Sequence, residues 1–215
     1  MHNKSTNNEN LMKKLLFLFI TVVLITACNS EKLVDSNDYE IPPEIDVTYS
    51  KGNANATVII TEFSDYQCPF CSKFTLDTLP KLQEDYFETG KVRFVFKDYP
   101  IPNHVYAQKA SEATYCAGEQ REEAFWEMHV KLFENQESLK ISDLMNYAEE
   151  LGLETNSFKN CLDVDKFRNL VLRNRKEGIE KNITSTPTLL INDEIVAGLQ
   201  PYDNLTKIIE TQLKK

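Results

Sequence analysis

The tetrapeptide Cys68-Pro69-Phe70-Cys71 lies between a β-branched run and a stretch of helical spacing, and that placement restricts the fold more than any other feature of the chain. The preceding run, Thr57-Val58-Ile59-Ile60-Thr61-Glu62-Phe63, is nearly continuous in apolar strand formers, which suits a buried central strand. After the motif, Leu79, Leu82 and Tyr86 recur at a helical period, and Pro80 should kink or interrupt that helix. Two thiols are therefore expected where a strand hands over to a helix. The first would sit against unsatisfied backbone N–H groups and the positive end of the helix dipole, which favour thiolate over thiol. Cys68 is accordingly read as an exposed nucleophile. Cys71, one turn later, is read as an inward-facing thiol that resolves a mixed disulfide. Pro69 occupies the first turn, where its missing N–H costs little.

A Cys-x-x-Cys pair can also be half of a zinc site, but zinc needs four ligands in a tetrahedron. The remaining cysteines, Cys116 and Cys161, are isolated, and beyond the N-terminal segment the only histidines are His104 and His129. No second paired motif exists, so no metal and no cofactor is expected.

The rest of the pattern is mixed. Residues 91–97 alternate as a strand, with Val92, Phe94 and Phe96 against Arg93 and Lys97. Four helical patterns follow: Tyr106, Ala110, Ala113 and Ala117; Phe125, Met128 and Leu132; Leu144, Tyr147, Ala148 and Leu151; and Val164, Phe167 and Val171. Beyond Pro187, residues 188–191 and 194–196 read as a hairpin turning at Asn192-Asp193, and Leu205, Ile208, Ile209 and Leu213 make a final amphipathic helix. The order strand, helix, strand, helices, hairpin, helix is that of an α/β protein. His129, Phe125 and Trp126 read as packing residues.

The N-terminus follows different rules. Lys13 and Lys14 precede an apolar run from Leu15 to Ile25, the grammar of an export signal with an apolar region of roughly 7–15 residues. It is shorter than the roughly 20 residues a membrane-spanning helix needs. Ile25-Thr26-Ala27-Cys28 resembles a bacterial lipobox, which implies a signal peptide at 1–27 and a lipid on Cys28. Residues 28–55 are mostly polar, contain Pro42-Pro43, and read as a tether that carries a short strand around Ile45 to Tyr49. Loss of the signal would change the formal charge from −9 to −11, and so acidic a surface makes nucleic acid an unsuitable partner. With Cys28 set aside, four cysteines allow three pairings. The local pair Cys68 with Cys71 is favoured and would leave Cys116 with Cys161 as a structural disulfide, permitted by an oxidising compartment.

Glu62-Phe63-Ser64-Asp65-Tyr66-Gln67-Cys68-Pro69-Phe70-Cys71, together with Phe125-Trp126 and Thr186-Pro187-Thr188, resembles the DsbA-like thioredoxin family, in particular its secreted bacterial branch. The resemblance implies a thioredoxin fold over residues 56–215 with an all-helical insertion at about 103–182, and extracytoplasmic thiol-disulfide oxidoreductase activity at Cys68 and Cys71. It implies a cis-proline at Pro187 and a substrate-facing backbone at Thr186, with Pro69 and Phe70 beside it. Glu62 would be a buried acid that relays a proton to or from Cys71, and Lys97 either resembles a lysine paired with such an acid or is a solvated strand-end lysine. Implied partners are reduced or misoxidised exported proteins, a DsbB-like membrane quinone reductase as reoxidant, and the membrane itself through the lipid. Strongly oxidising DsbA proteins carry a histidine where this chain has Phe70, which leaves the reverse activity, a disulfide reductase or isomerase, as an alternative. A non-catalytic binding lipoprotein is the third reading.

Overall fold

The computed structural model describes residues 45–215. The expected signal peptide at 1–27, the expected lipidation site at Cys28 and the expected tether as far as residue 44 lie outside the described residues. Among the described residues the five strands are β1 (Ser50–Gly52), β2 (Val58–Ser64), β3 (Val92–Asp98), β4 (Thr188–Ile191) and β5 (Glu194–Ala197), and they form one sheet in the order β1-β3-β2-β4-β5. β2 and β3 run parallel, whereas β1 pairs antiparallel with β3, β4 with β2, and β5 with β4. The parallel pair demands a crossover, and it is supplied by α1, a helical stretch over residues 69–87.

α1 alternates α-helical pieces, Pro69–Lys73 and Leu79–Leu82, with π-helical ones, Phe74–Thr78 and Gln83–Phe87. The expected interruption at Pro80 takes this form: proline has no N–H to return to Leu76, and the turn widens so that the Leu79 N–H reaches the Phe74 carbonyl. The other helices are α2 (Ala107–Gly118), α3 (Glu122–Glu134), α4 (Ile141–Glu150), α5 (Thr155–Asp163), α6 (Arg168–Glu180) and α7 (Tyr202–Gln212). α2 to α6 form a helical block inserted between β3 and β4.

The body of the fold begins earlier than residue 56. Within the stretch read as tether, Ile45 and Val47 pack against the core and Tyr49 is buried in it, stacked 3.9 Å from the Phe125 ring. Strand pairing starts after Tyr49, at Ser50 opposite Val95. The strand expected around Ile45 to Tyr49 is displaced to Ser50–Gly52, while the apolar residues before it pack on the core. A second difference concerns Val164 and Phe167. They do not share a helix: α5 ends at Asp163, Asp165 turns the chain at φ 53, and Val164 is exposed.

Small residues let the helical block close up. Ala110, Ala113 and Ala117 on α2 are fully buried. An added Cβ at Gly118 would come within 2.3 Å of the Tyr49 hydroxyl, so this helix end approaches the N-terminal segment as only glycine allows. Cys116 on α2 is disulfide-bonded to Cys161 on α5 across 45 residues. Closing a loop of that length stabilises a folded chain by about 4 kcal/mol in the chain-entropy account.

Candidate functional site

Strand pairing assembles the site from distant parts of the sequence. β2 delivers Cys68 at the start of α1. Its antiparallel neighbour β4, with Thr188 opposite Phe63, brings the preceding loop alongside. The Thr186–Pro187 peptide is cis, and the Cys68 Sγ donates to the Thr186 carbonyl at 3.4 Å. Cys68 is the residue before the first helical turn, and both thiols are free. The expectation of an exposed nucleophile is corrected: Cys68 keeps only 5% of its surface, because the Thr186 backbone lies against it. Cys71 is fully buried, as an inward-facing thiol should be. Phe70 beside them is exposed.

The two sulfurs are held in different protonation states. A hydrogen bond from the Cys71 thiol, helped by Thr186 and by the backbone N–H groups of Cys71 and Phe70, lowers the Cys68 pKa to about 6 against the cost of burial. Burial in turn drives the Cys71 thiol far upward, reinforced by its bond to Cys68 and by the Glu62 charge. Near neutral pH the arrangement is one thiolate and one thiol. Positive charge is not needed for this: the donors are a thiol and main-chain amides, so Phe70 does not prevent it.

Glu62 lies fully buried on β2, and burial pushes its carboxyl up to about 8. The neighbouring Ser64 hydroxyl offsets part of the rise, although neither it nor the carboxyl oxygens make a hydrogen bond of normal geometry. Lys97 does not pair with Glu62. Glu62 is in register with Phe96, and the two-residue period turns Lys97 to the opposite face of the sheet, where it meets Glu177 at 3.3 Å and the Asn174 side-chain oxygen at 3.3 Å. The buried group that shares the Glu62 face is Asp98, which accepts from Tyr115 at 2.7 Å and from Asn174 at 3.1 Å, and whose pKa is raised by burial.

Several residues that the sequence did not single out hold the motif in place. Gln136, just beyond α3, donates to the carbonyls of Tyr66 (2.8 Å) and Cys68 (2.9 Å). Asp65 accepts from the Gln67 N–H at 2.7 Å and the Ile101 N–H at 2.6 Å, and faces His104 Nδ1 at 2.9 Å. Gln67 accepts from the N–H groups of Tyr106 and Ala107 and so caps α2. Asp65 and Gln67 stand inside the motif stretch, but a single sequence carries no sign of what lies opposite them. Gln136 carries no signal at all. Among the described residues, no group of three or more His, Cys, Asp or Glu side chains could hold a metal ion.

A dithiol at a strand-to-helix junction, faced by a cis-proline loop on a mixed sheet, defines a thioredoxin-fold site for thiol-disulfide exchange. The thioredoxin family model matches residues 46–211. The disulfide bond formation protein D of Bacillus subtilis is 31% identical over 175 residues, which is 76% of each chain. Its oxidised crystal structure, under the name BdbD, superposes with a TM-score of 0.72 at 30% identity over 78% of this chain and 94% of that one. The alpha-DsbA1 structure of Wolbachia pipientis, at 21% identity, shares the fold with a TM-score of 0.67 over 80% and 93% of the two chains. A Salinispora tropica protein described as the Na(+)/H(+) antiporter NhaA 3 is 31% identical over 167 residues, but these make up only 24% of its length. The chain belongs to the DsbA-like thiol-disulfide oxidoreductases of the thioredoxin family.

Two outcomes follow from the protonation states. In the reduced protein, alkylation of Cys68 should rise to half its plateau rate near pH 6, with Cys71 unreactive until the protein is unfolded. A Cys68 profile centred near the ordinary thiol value of about 8.5 would contradict the site. Glu62 should make stability fall with pH. Its unfolded-state pKa is the ordinary carboxylate value of about 4.3, while the folded protein holds the proton to about 8. The native state therefore binds more protons between these limits, and unfolding becomes easier as pH rises through them. In urea titrations of the oxidised protein, where neither thiol titrates, Glu62→Gln should abolish this decline, leaving the variant roughly 2–4 kcal/mol ahead at pH 8 and level near pH 4. Parallel stability curves would show that Glu62 ionises normally.

Proposed function

We propose that the protein is an extracytoplasmic oxidant that donates the Cys68–Cys71 disulfide to exported polypeptides. The single observation that carries this reading is the split pair of thiols: a Cys68 thiolate held by its surroundings lowers the energy of the reduced site, and whatever stabilises the reduced form makes the disulfide a stronger oxidant. The name of the Bacillus relative, a disulfide bond formation protein, supports the same direction.

The exchange balances as follows. A substrate thiolate attacks Cys68 Sγ, the Cys68–Cys71 bond breaks, and Cys71 leaves with the electron pair. A buried thiolate at Cys71 is costly, and Glu62, protonated below about pH 8, supplies the proton. A second substrate thiolate then attacks its partner sulfur in the mixed disulfide and expels Cys68 as a thiolate. The substrate gains a disulfide, and two electrons remain on the protein. During the mixed disulfide the Thr186 backbone offers its main-chain groups to the substrate chain, with Pro187, Pro69 and Phe70 forming the rest of the contact surface. A DsbB-like quinone reductase in the membrane would return the site to the disulfide. The Cys116–Cys161 bond, between two helices away from α1, serves as a staple.

The first test is the reduction potential of the Cys68/Cys71 couple against glutathione buffers, combined with trapping by Cys71→Ser. Disulfide donation calls for a value of about −120 to −180 mV and for mixed disulfides accumulating on Cys68. A value near −270 mV, the range of thioredoxin, would reverse the direction and make the protein a reductase. For the anchor, the apolar run Leu15 to Ile25 followed by Thr26-Ala27-Cys28 supports lipidation. Cys28→Ser should shift the protein from the membrane fraction to the soluble one, and an unchanged distribution would remove the lipid from the account.

A further inference from the structure

A cavity of about 160 Å³ lies between α1 and α3. Its walls are Leu79 and Pro80 from α1 and Trp126 from α3, with Thr75 and His129 also lining it and Lys51 of β1 at its side. The volume is close to that of a cavity able to take one benzene ring, roughly 150 Å³. Two buried polar atoms belonging to lining residues have no hydrogen-bond partner: Thr75 Oγ1 and His129 Nε2. Thr75 is 3% exposed and His129 1%, so bulk water does not satisfy them, and leaving such groups unpaired is costly. Neither atom takes part in the exchange chemistry.

Four polar side chains line it, Thr75, His129, Lys51 and Gln83, and the Gln83 amide is already tied to Glu88 through Nε2 at 3.2 Å. Tyr66 Oη lies 2.9 Å from His129 Nδ1. Donation of that O–H to Nδ1 places the ring proton on Nε2, which becomes a donor. Burial keeps the ring neutral, its pKa lowered to about 3. The Thr75 hydroxyl can also donate, and Lys51 brings a positive charge, its Nζ 4.8 Å from the centre of the Trp126 ring. Glu88 is the acid whose field reaches Lys51. A neutral donor, a hydroxyl and an ammonium around an apolar, ring-sized space suit an anion with an apolar body.

We propose that this cavity binds a small aromatic monocarboxylate, its ring against Trp126, Leu79 and Pro80 and its carboxylate received by Lys51, His129 Nε2 and Thr75 Oγ1. Trp126 is the single tryptophan of the chain and reports occupancy directly.

Titration of the full-length protein with benzoate should give a saturable change in Trp126 fluorescence, with a dissociation constant on the order of 1–10 mM for a ligand this small. Benzyl alcohol, of the same size and uncharged, should bind at least about fivefold more weakly. Lys51→Met should remove that preference and Lys51→Arg should retain it. Thr75→Val, which deletes an unpartnered hydroxyl at constant shape, should weaken benzoate without lowering the Tm. Absence of a saturable change with either compound would overturn the proposal. So would equal binding of the two compounds together with unaltered benzoate binding in Lys51→Met, since that is the behaviour of an apolar void without carboxylate recognition.

Discussion

The antiparallel pairing of β2 with β4 is the constraint on which the rest depends. It joins residues more than a hundred positions apart, and it alone brings the Thr186–Pro187 loop against the thiol that β2 carries to the start of α1. The parallel pairing of β2 with β3 sets the other half of the geometry, because a parallel neighbour requires a crossover and the crossover helix begins at the motif. Cys68 is therefore positioned by two strand registers together with the cap of one helix. The hydrogen bonds from Gln136, Asp65 and Gln67 then fasten the surrounding loops to that frame.

Burial does most of the electrostatic work at the site. It raises Cys71 and Glu62 together, so that both groups hold their protons near neutral pH. Cys68 escapes the same effect because it sits where α1 presents free N–H groups and where the Cys71 thiol can donate to it. Two sulfurs only one turn apart thus acquire opposite chemistry from the side of the helix each faces. A thiolate stabilised in this way by dipoles and a neutral thiol responds less to ionic strength than one held by a histidinium would.

The helical block is attached to this machinery by aromatic packing. Tyr66 precedes the motif and packs on Phe96, Phe133 and His129, while Phe125 stacks on Tyr49. Between α1 and α3 lies a cavity whose lining residues include two with unpartnered buried polar atoms, Thr75 and His129. The same helix therefore carries the exchange site at its first turn and a separate chemical environment about two to three turns further on.

The sequence by itself determined the things that are local. The β-branched run before Cys68, the helical period after it, the hairpin at Asn192-Asp193 and the interruption at Pro80 depend on neighbours a few residues away, and all were legible there. The placement of Cys68 and Cys71 at a strand-to-helix junction was legible for the same reason, and the cis bond at Pro187 and the burial of Glu62 through family resemblance. Tertiary structure decided what depends on a partner distant in sequence. The strand expected around Ile45 to Tyr49 falls instead at Ser50–Gly52, where pairing with β3 places it, and Val164 and Phe167 parted company because α5 ends at Asp163. Lys97 turned away from Glu62 because strand register puts neighbouring residues on opposite faces of a sheet. Gln136 and the cavity beside Trp126 had no local signature, since they arise where separate elements meet, and periodicity along one element contains no information about its neighbours.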